Sequence, residues 1–553
     1  MNIQGSAFKY VEHMIRNTVG VKALLLDKET LNFISVAATK TELYSNEVAI
    51  IEELSSRLQK PIDPQVQSIS CVCILRPTNS NVDMLCQELR SPHFSKYALY
   101  FTNTVPDYLF HQIATADTNM IIDSFQEVFL DFSALGTRLF SSNMPDISDF
   151  RLNPSGKSGI STKISESLFA AICCLRAIPI VRYDGNSESC KIIANILQSM
   201  INNNNSLFNS SKDDKVNVLI LDRRNDPVTP LLHYFYYLPI LHDLFYIDNN
   251  VISLNKKDQL IIDERCDPET EKINTMYLEE AGNAINQRFD TFKSVQKQIK
   301  DQNVVSMNEK ALHVLQSSSA ITYSKTHMEL YQAMHRKVVS DNLLDITGLE
   351  QIMATVNDSQ EQCEQFCNLI SGKCSNFNAL RLALIYCLHY EKSGDELIGR
   401  VMNALEQKSG FSQDELKYAQ TLIRIAGQDK RTFDIFSNRS LIAKFKGGLK
   451  SSTAKSQFEM YKIPLEDLLK DVKEKRLDQN RYPFADSKMQ NSHSYKTIVY
   501  IVGGATYAEH CAITRMTEPK AEGRPGFQFV LGGTTIHNAE TFIRYEVAPF
   551  THI

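Results

Sequence analysis

One stretch, Val216 to Tyr246 (VNVLILDRRNDPVTPLLHYFYYLPILHDLFY), constrains the fold of this chain more than any other. It opens with an unbroken apolar run, Val218 to Leu221. Such a run, bounded by polar residues, predicts a strand buried on both faces, as in a parallel sheet covered by helices. Charge crowds its carboxyl end at once, in Asp222, Arg223, Arg224 and Asp226. Pro227 forbids extension of the ladder, Thr229 suits a helix N-cap and Pro230 suits the first helical position. Leu231, Phe235, Leu238 and Leu241 or His242 then recur at helical spacing, so a helix is predicted to start at Pro230.

The charges admit two readings. Ligands and acid–base pairs gather at the carboxyl ends of parallel strands, so Asp222 and Asp226 are candidates for chemistry. Alternatively Arg223 or Arg224 ties the two carboxylates together and fixes the turn. The second reading is preferred, because paired charges at strand ends are common.

At 553 residues the chain exceeds one hydrophobic core, and about three domains are expected. A net charge of −5 argues against nucleic acid as a partner. The N-terminus has no apolar signal core, and no run approaches the roughly 20 apolar residues of a membrane span. Pro549 to Ile553 carry no lipidation signal. The expectation is a cytoplasmic protein that reaches membranes only through other proteins. The 12 cysteines, among them Cys71, Cys73, Cys173, Cys174 and Cys387, mostly sit in apolar surroundings and read as reduced core thiols. Cys363, Cys367 and Cys374 alone cluster, but without a paired CxxC or a neighbouring histidine they do not predict zinc.

Pattern along the chain predicts an α/β protein interrupted by helices. Residues 1–133 alternate strands (Ala23 to Leu26, Ile69 to Leu75, Tyr97 to Phe101) with helical stripes, and Val48 to Leu58 reads as amphipathic. The α/β pattern continues through 134–245 and returns over 480–553, giving one discontinuous domain. Between them, 246–479 is mainly helical after a short hairpin, Val251 to Leu254 against Leu260 to Ile262. Leu278, Ala281, Ile285, Phe289, Phe292, Val295 and Ile299 form a heptad-like seam, and Met328, Tyr331, His335 and Val338 a second stripe. Together they predict a long helical hairpin, whose arms either pack only on each other or also offer a seam to another coiled coil.

Catalytic motifs are incomplete. Gly503-Gly504 and Gly532-Gly533 follow predicted strands and could cradle a phosphate, but neither completes GxGxxG. Gly156-Lys157-Ser158 lacks the preceding glycine of a P-loop, since Arg151 stands there. His233 and His242, both expected on the helix after the central stretch, read as packed or solvent-facing residues. No cofactor and no metal are expected. A phosphate- or nucleotide-binding enzyme using the Gly-Gly strand ends with Asp222 and Asp226 stays open as the alternative.

The run LILDRRNDPVTPLLH resembles the signature of the SM (Sec/Munc) family, cytosolic proteins that clasp syntaxin-type SNAREs during vesicle fusion. CILRPT, YFTNTVPDYLF, RLALIYCLHYEKSG, KIPLEDLLKDVKEKRLDQNRYPF, IVGGATYAEH and FVLGGTTIHN extend the resemblance along the chain, the later phrases to a branch serving the endosome and trans-Golgi. The resemblance implies a three-domain arch of two α/β domains with parallel sheets and an inserted helical domain. It implies a monomer that binds a syntaxin-type SNARE and templates the assembling SNARE bundle, without catalysis. It also implies a pocket for a SNARE N-terminal peptide in the first domain, built from Leu109, Phe110, Ile113 and Ala114 on a helix and Ile122, Phe125 and Glu127 opposite. Lys297 and Lys300 fall on the hairpin that would touch SNARE helices, although the proline many members carry near its turn is missing from Val304 to Val338. Asp222, Arg223, Asp226, Pro227 and Pro230 are expected to be structural.

Overall fold

The computed structural model describes residues 1–552 apart from 157–158, 209–213, 255–258, 266–267, 302–306, 393–394, 437–457, 490–491 and 520–525. Its first sheet is wholly parallel and contains β1 (Lys22–Leu26), β2 (Val48–Glu53), β3 (Ser70–Leu75), β4 (Lys96–Phe101) and β5 (Ile122–Glu127), in the order β2-β1-β3-β4-β5. The central strands β1 and β3 are buried almost throughout, as continuous apolar runs require when helices cover both faces. β2 and β5 are the edges.

The second sheet joins distant parts of the chain. Its strands are β6 (Ser133–Gly136), β7 (Leu139–Ser141), β8 (Ile178–Tyr183) and β9 (Lys215–Asp222), with β13 (Lys496–Val502) and β15 (Gln528–Gly533) from the far end. The order is β6-β7-β15-β13-β9-β8, antiparallel only at β6–β7. Between β9 and β13 run a small antiparallel sheet, β10 (Ile247–Asp248), β11 (Val251–Ser253) and β12 (Gln259–Ile261), and then the helical block. Two short strands, β14 (Ala505–Thr506) and β16 (Ile536–His537), pair beyond β13 and β15.

Three local expectations are corrected. Val48 to Leu58 is not one amphipathic element: β2 occupies Val48–Glu53 and a single helical turn follows at Leu54–Arg57. An edge strand is only half covered, so its mixed apolar and acidic residues imitate a helical pattern. The helix predicted from Pro230 is broken too. A 3₁₀ turn, Thr229–Leu231, is followed by extended chain, and the helix begins at Tyr237 and ends at Phe245. Pro239 explains the break: its missing N–H is harmless in a first turn but would open the third turn of a helix begun at Pro230. His233 therefore precedes this helix, while His242 lies on it.

The hairpin is present as helices Leu278–Asp301 and Met307–Ser340. At its root Leu278, Ala281 and Ile285 are buried. The second helix buries Ser324, His327, Leu330, Met334 and Val338, a stripe rotated from the expected one; Met328 and Tyr331 are half-buried and His335 is exposed. Polar residues hid the true stripe. His327 is admitted to the core because Tyr237 Oη lies 2.8 Å from its Nδ1 and Thr270 Oγ1 lies 3.1 Å from its Nε2. A Cβ on Gly282 would collide with the Tyr331 ring, so this glycine permits close approach of the two helices.

Candidate functional site

The β5 edge and the helix Asp107–Ala116 beside it form the first candidate surface. β5 pairs with β4 alone, through Tyr97↔Ile122, Leu99↔Phe125 and Phe101↔Glu127. Three residues along a regular strand would put Ile122 and Phe125 on opposite faces. A register shift after Ile122 adds one residue and returns Phe125 to the face that carries Ile122. Both are half-buried and point towards the helix side of the sheet, where Leu99 and Phe101 belong to the core.

The structure divides the expected pocket residues between floor and surface. Leu109 (1% exposed) and Ile113 (2%) are turned into the core with Ala116, so they support the helix from beneath. Phe110 (46%) and Ala114 are exposed. Phe110 meets Phe125 edge-to-face with centroids 5.2 Å apart, and Phe125 in turn lies 5.3 Å from Phe101. Glu127 is exposed, and its Oε1 accepts from the Val105 N–H at 2.7 Å, which steadies the turn before the helix. Phe101, which the sequence patterns mark only as a strand residue, completes the aromatic stack. The result is an apolar shelf with an acidic end beside an unpaired strand edge. It is suited to an extended segment with one apolar side chain and one cationic or N–H group.

A second surface lies where the hairpin root meets the rest of the helical block. A groove of about 900 Å³ runs between the Met307–Ser340 helix and the helices Leu343–Thr355 and Ser359–Ser371. Tyr331, Val338, Leu344, Leu349, Phe235 and Phe458 line it, with Phe235 and Phe458 stacked at 4.9 Å. Val339 and Leu344 expose apolar surface along it. Its apolar lining suits one face of an amphipathic helix. Lys297 and Lys300 belong to the hairpin's first helix, but their side chains fall outside the described residues.

At the charged end of β9, Asp222, Arg223 and Asp226 are buried and paired, though not as expected. No single arginine joins Asp222 to Asp226. Asp222 is held by Arg151 (Nη1 to Oδ2, 2.7 Å) from the helix Ser148–Leu152, and also accepts from Ser187 Oγ at 2.5 Å. Arg223 is held by Glu509, Nη1 to both carboxylate oxygens at 2.8 and 2.9 Å, with Asp226 at 3.3 Å from Nη2. Arg224 lies over the Phe550 ring. Burial opposes charge on Asp222, but Arg151 and Arg224 outweigh it and hold the carboxyl down at about 2. Asp226 also accepts from the Thr229 N–H and from Tyr461 Oη, so the turn is tied to the end of the helical block.

The glycine pairs are explained by packing. A Cβ on Gly503 (φ +90°) would strike the Arg151 guanidinium and crowd Arg223 and Glu546; one on Gly532 would enter the Phe140 ring. The space a phosphate cradle needs is filled by side chains. Among the described residues no three His, Cys, Asp or Glu gather as a metal site, and no helix is long and apolar enough to cross a membrane.

A wholly parallel first sheet, and a second sheet that joins strands of 133–222 to strands of 496–533 across a helical block with a long hairpin, agree with a family match over most of the chain. The Sec1 family pattern matches residues 22–545, and the chain belongs to that family. Vacuolar protein sorting-associated protein 45 of Homo sapiens is 29% identical over 568 residues, covering 100% of this chain and 97% of the human one. A solved structure described as SM protein Vps45 in complex with the Qa SNARE Tlg2 superposes with a TM-score of 0.86 at 25% identity, covering 100% of this chain and 99% of that one. The Unc18–syntaxin 1 complex from Monosiga brevicollis, at 18% identity and a TM-score of 0.78 over 100% of both chains, shares the fold.

Proposed function

We propose that this chain binds a syntaxin-type SNARE and promotes SNARE complex assembly and vesicle fusion in endosomal, trans-Golgi and vacuolar protein transport. One observation carries the reading: the likeness to a chain solved with a Qa SNARE runs the whole length of both proteins. The shelf of Phe110, Ala114, Ile122, Phe125 and Glu127 takes the SNARE's N-terminal peptide, and the groove at the hairpin root takes a helix of the assembling bundle. The hairpin, with Lys297 and Lys300, extends that helical contact. Asp222, Arg223, Asp226, Pro227 and Pro230 are structural. Work is done by differential binding alone: holding one SNARE conformation more tightly than others shifts the assembly equilibrium towards it.

The domain division that goes with this reading is 1–133, then 134–245 with 480–553, and 246–479. The protein acts as a monomer in the cytoplasm and is recruited peripherally to Golgi and endosomal membranes through SNAREs. It is not an enzyme; the filled space around Gly503 and Gly532 supports this. Immobilised full-length protein is expected to retain an endosomal or trans-Golgi syntaxin with its partner SNAREs from a detergent extract, and calorimetry with ATP or GTP to record no binding. Failure to retain any SNARE, or stoichiometric nucleotide binding, overturns the proposal.

A further inference from the structure

The Val216 to Tyr246 stretch contributes His233 and Asp243 to a charged cluster that the SNARE reading leaves unused. His233 is buried, and both its ring nitrogens face carboxylates: Nδ1 is 2.8 Å from Glu350 Oε1 and Nε2 is 2.9 Å from Asp243 Oδ2. Carboxylates only accept, so both contacts are hydrogen bonds only when both ring nitrogens carry hydrogen. The His233 backbone N–H also donates to Glu350 Oε2 at 2.9 Å. Arg381 is the fourth member. Its Nη2 donates to both oxygens of Asp243 at 2.7 and 2.9 Å, and its Nη1 crowds the ring, 2.6 Å from Nδ1. The cluster thus joins the chain before the Tyr237–Phe245 helix, that helix itself (Asp243), the Leu343–Thr355 helix (Glu350) and the Asn376–His389 helix (Arg381). Cys374 faces Glu350 from beyond, and the Ala539 N–H approaches Asp243.

This cluster stands directly behind the groove. Leu349 and Gly348, next to Glu350, form part of the groove wall, and Phe235, two residues after His233, forms another part. We infer that His233 is a positioning residue for the groove: protonated, it pins the Leu343–Thr355 helix through Glu350, and loss of the proton releases that wall and weakens helix capture. The geometry supplies the alternative bond. A ring nitrogen without hydrogen becomes an acceptor for the adjacent Arg381 Nη1, while Glu350 Oε1 loses its donor. Burial and the Arg381 charge oppose protonation of His233, yet Glu350 and Asp243 outweigh them and raise it above its ordinary value of 6.5. The sign follows. A raised histidine lends stability that is fully present below 6.5 and lost as pH climbs through the higher folded-state value.

The inference rests on the groove's reading as a seat for a SNARE helix, and the test separates the two. Hydrogen exchange of residues 343–355 in the full chain, corrected for intrinsic rates, is followed from about pH 6 to about pH 8.5; it should quicken roughly tenfold. Binding of a synthetic SNARE-motif helix should weaken over the same range. In His233→Gln both profiles should be flat. Should that variant not fold, ¹⁵N-histidine spectra of the wild type must show the His233 ring titrating with the same midpoint as the exchange. Exchange that is flat with pH in the wild type, or unchanged pH dependence in His233→Gln, overturns the inference. Exchange that titrates while the helix binds at no pH leaves the positioning role standing and removes the groove from SNARE capture.

Discussion

Arg223→Ala is expected to destabilise the protein by about 3–5 kcal/mol, the cost of leaving a buried charge without its partner. The loss here is unusually one-sided. Arg223 is 2% exposed and is the cation for two buried carboxylates, Glu509 and Asp226. Glu509 is already pushed upward by burial, so without Arg223 it would take a proton or leave the core. Either outcome loosens the capping box by which Glu509 and Thr506 start the helix Tyr507–Met516. The variant should show a lower melting temperature and lower soluble yield. An unchanged melting temperature with lost SNARE binding would instead make Arg223 a contact residue.

The second large effect separates surface from floor on the first-domain shelf. Ala114→Arg together with Phe110→Ala should leave the fold intact, because both positions are exposed. Each removes or blocks an anchor contact, and the expected loss for a syntaxin N-terminal peptide is about 2 kcal/mol or more, roughly thirtyfold in Kd. Leu109→Arg should do the opposite, unfolding the first domain by placing a charge in its core. Phe125→Arg falls between, since that ring touches both Phe101 and Phe110. Calorimetry with the peptide, alongside thermal melts of each variant, checks the division. Wild-type affinity in the double variant would remove the shelf from SNARE binding.

Sequence pattern reached those parts of the molecule where local physics decides. Apolar runs marked β3, β4 and β9, and the two glycine pairs marked the ends of β13 and β15. It failed where distant groups decide. Arg151 lies 71 residues from Asp222, and Glu509 lies 286 residues from Arg223, so no local pattern names either partner. The shelf was legible as a set of residues but not as a geometry, because burial of Leu109 and Ile113 depends on which side of their helix meets β4 and β5. The Gly-Gly pairs had the composition of a phosphate loop; only the arrival of Arg151, Glu546 and Phe140 from elsewhere gives them another purpose.

The most direct test of the account measures assembly itself. Cognate endosomal SNAREs are mixed with and without the purified full-length protein, and formation of the four-helix bundle is followed by fluorescence. Assembly should be faster with the protein present, and this gain should be reduced by the Phe110→Ala, Ala114→Arg double variant. An assembly rate that the wild-type protein leaves unchanged, with SNAREs it demonstrably binds, would contradict it.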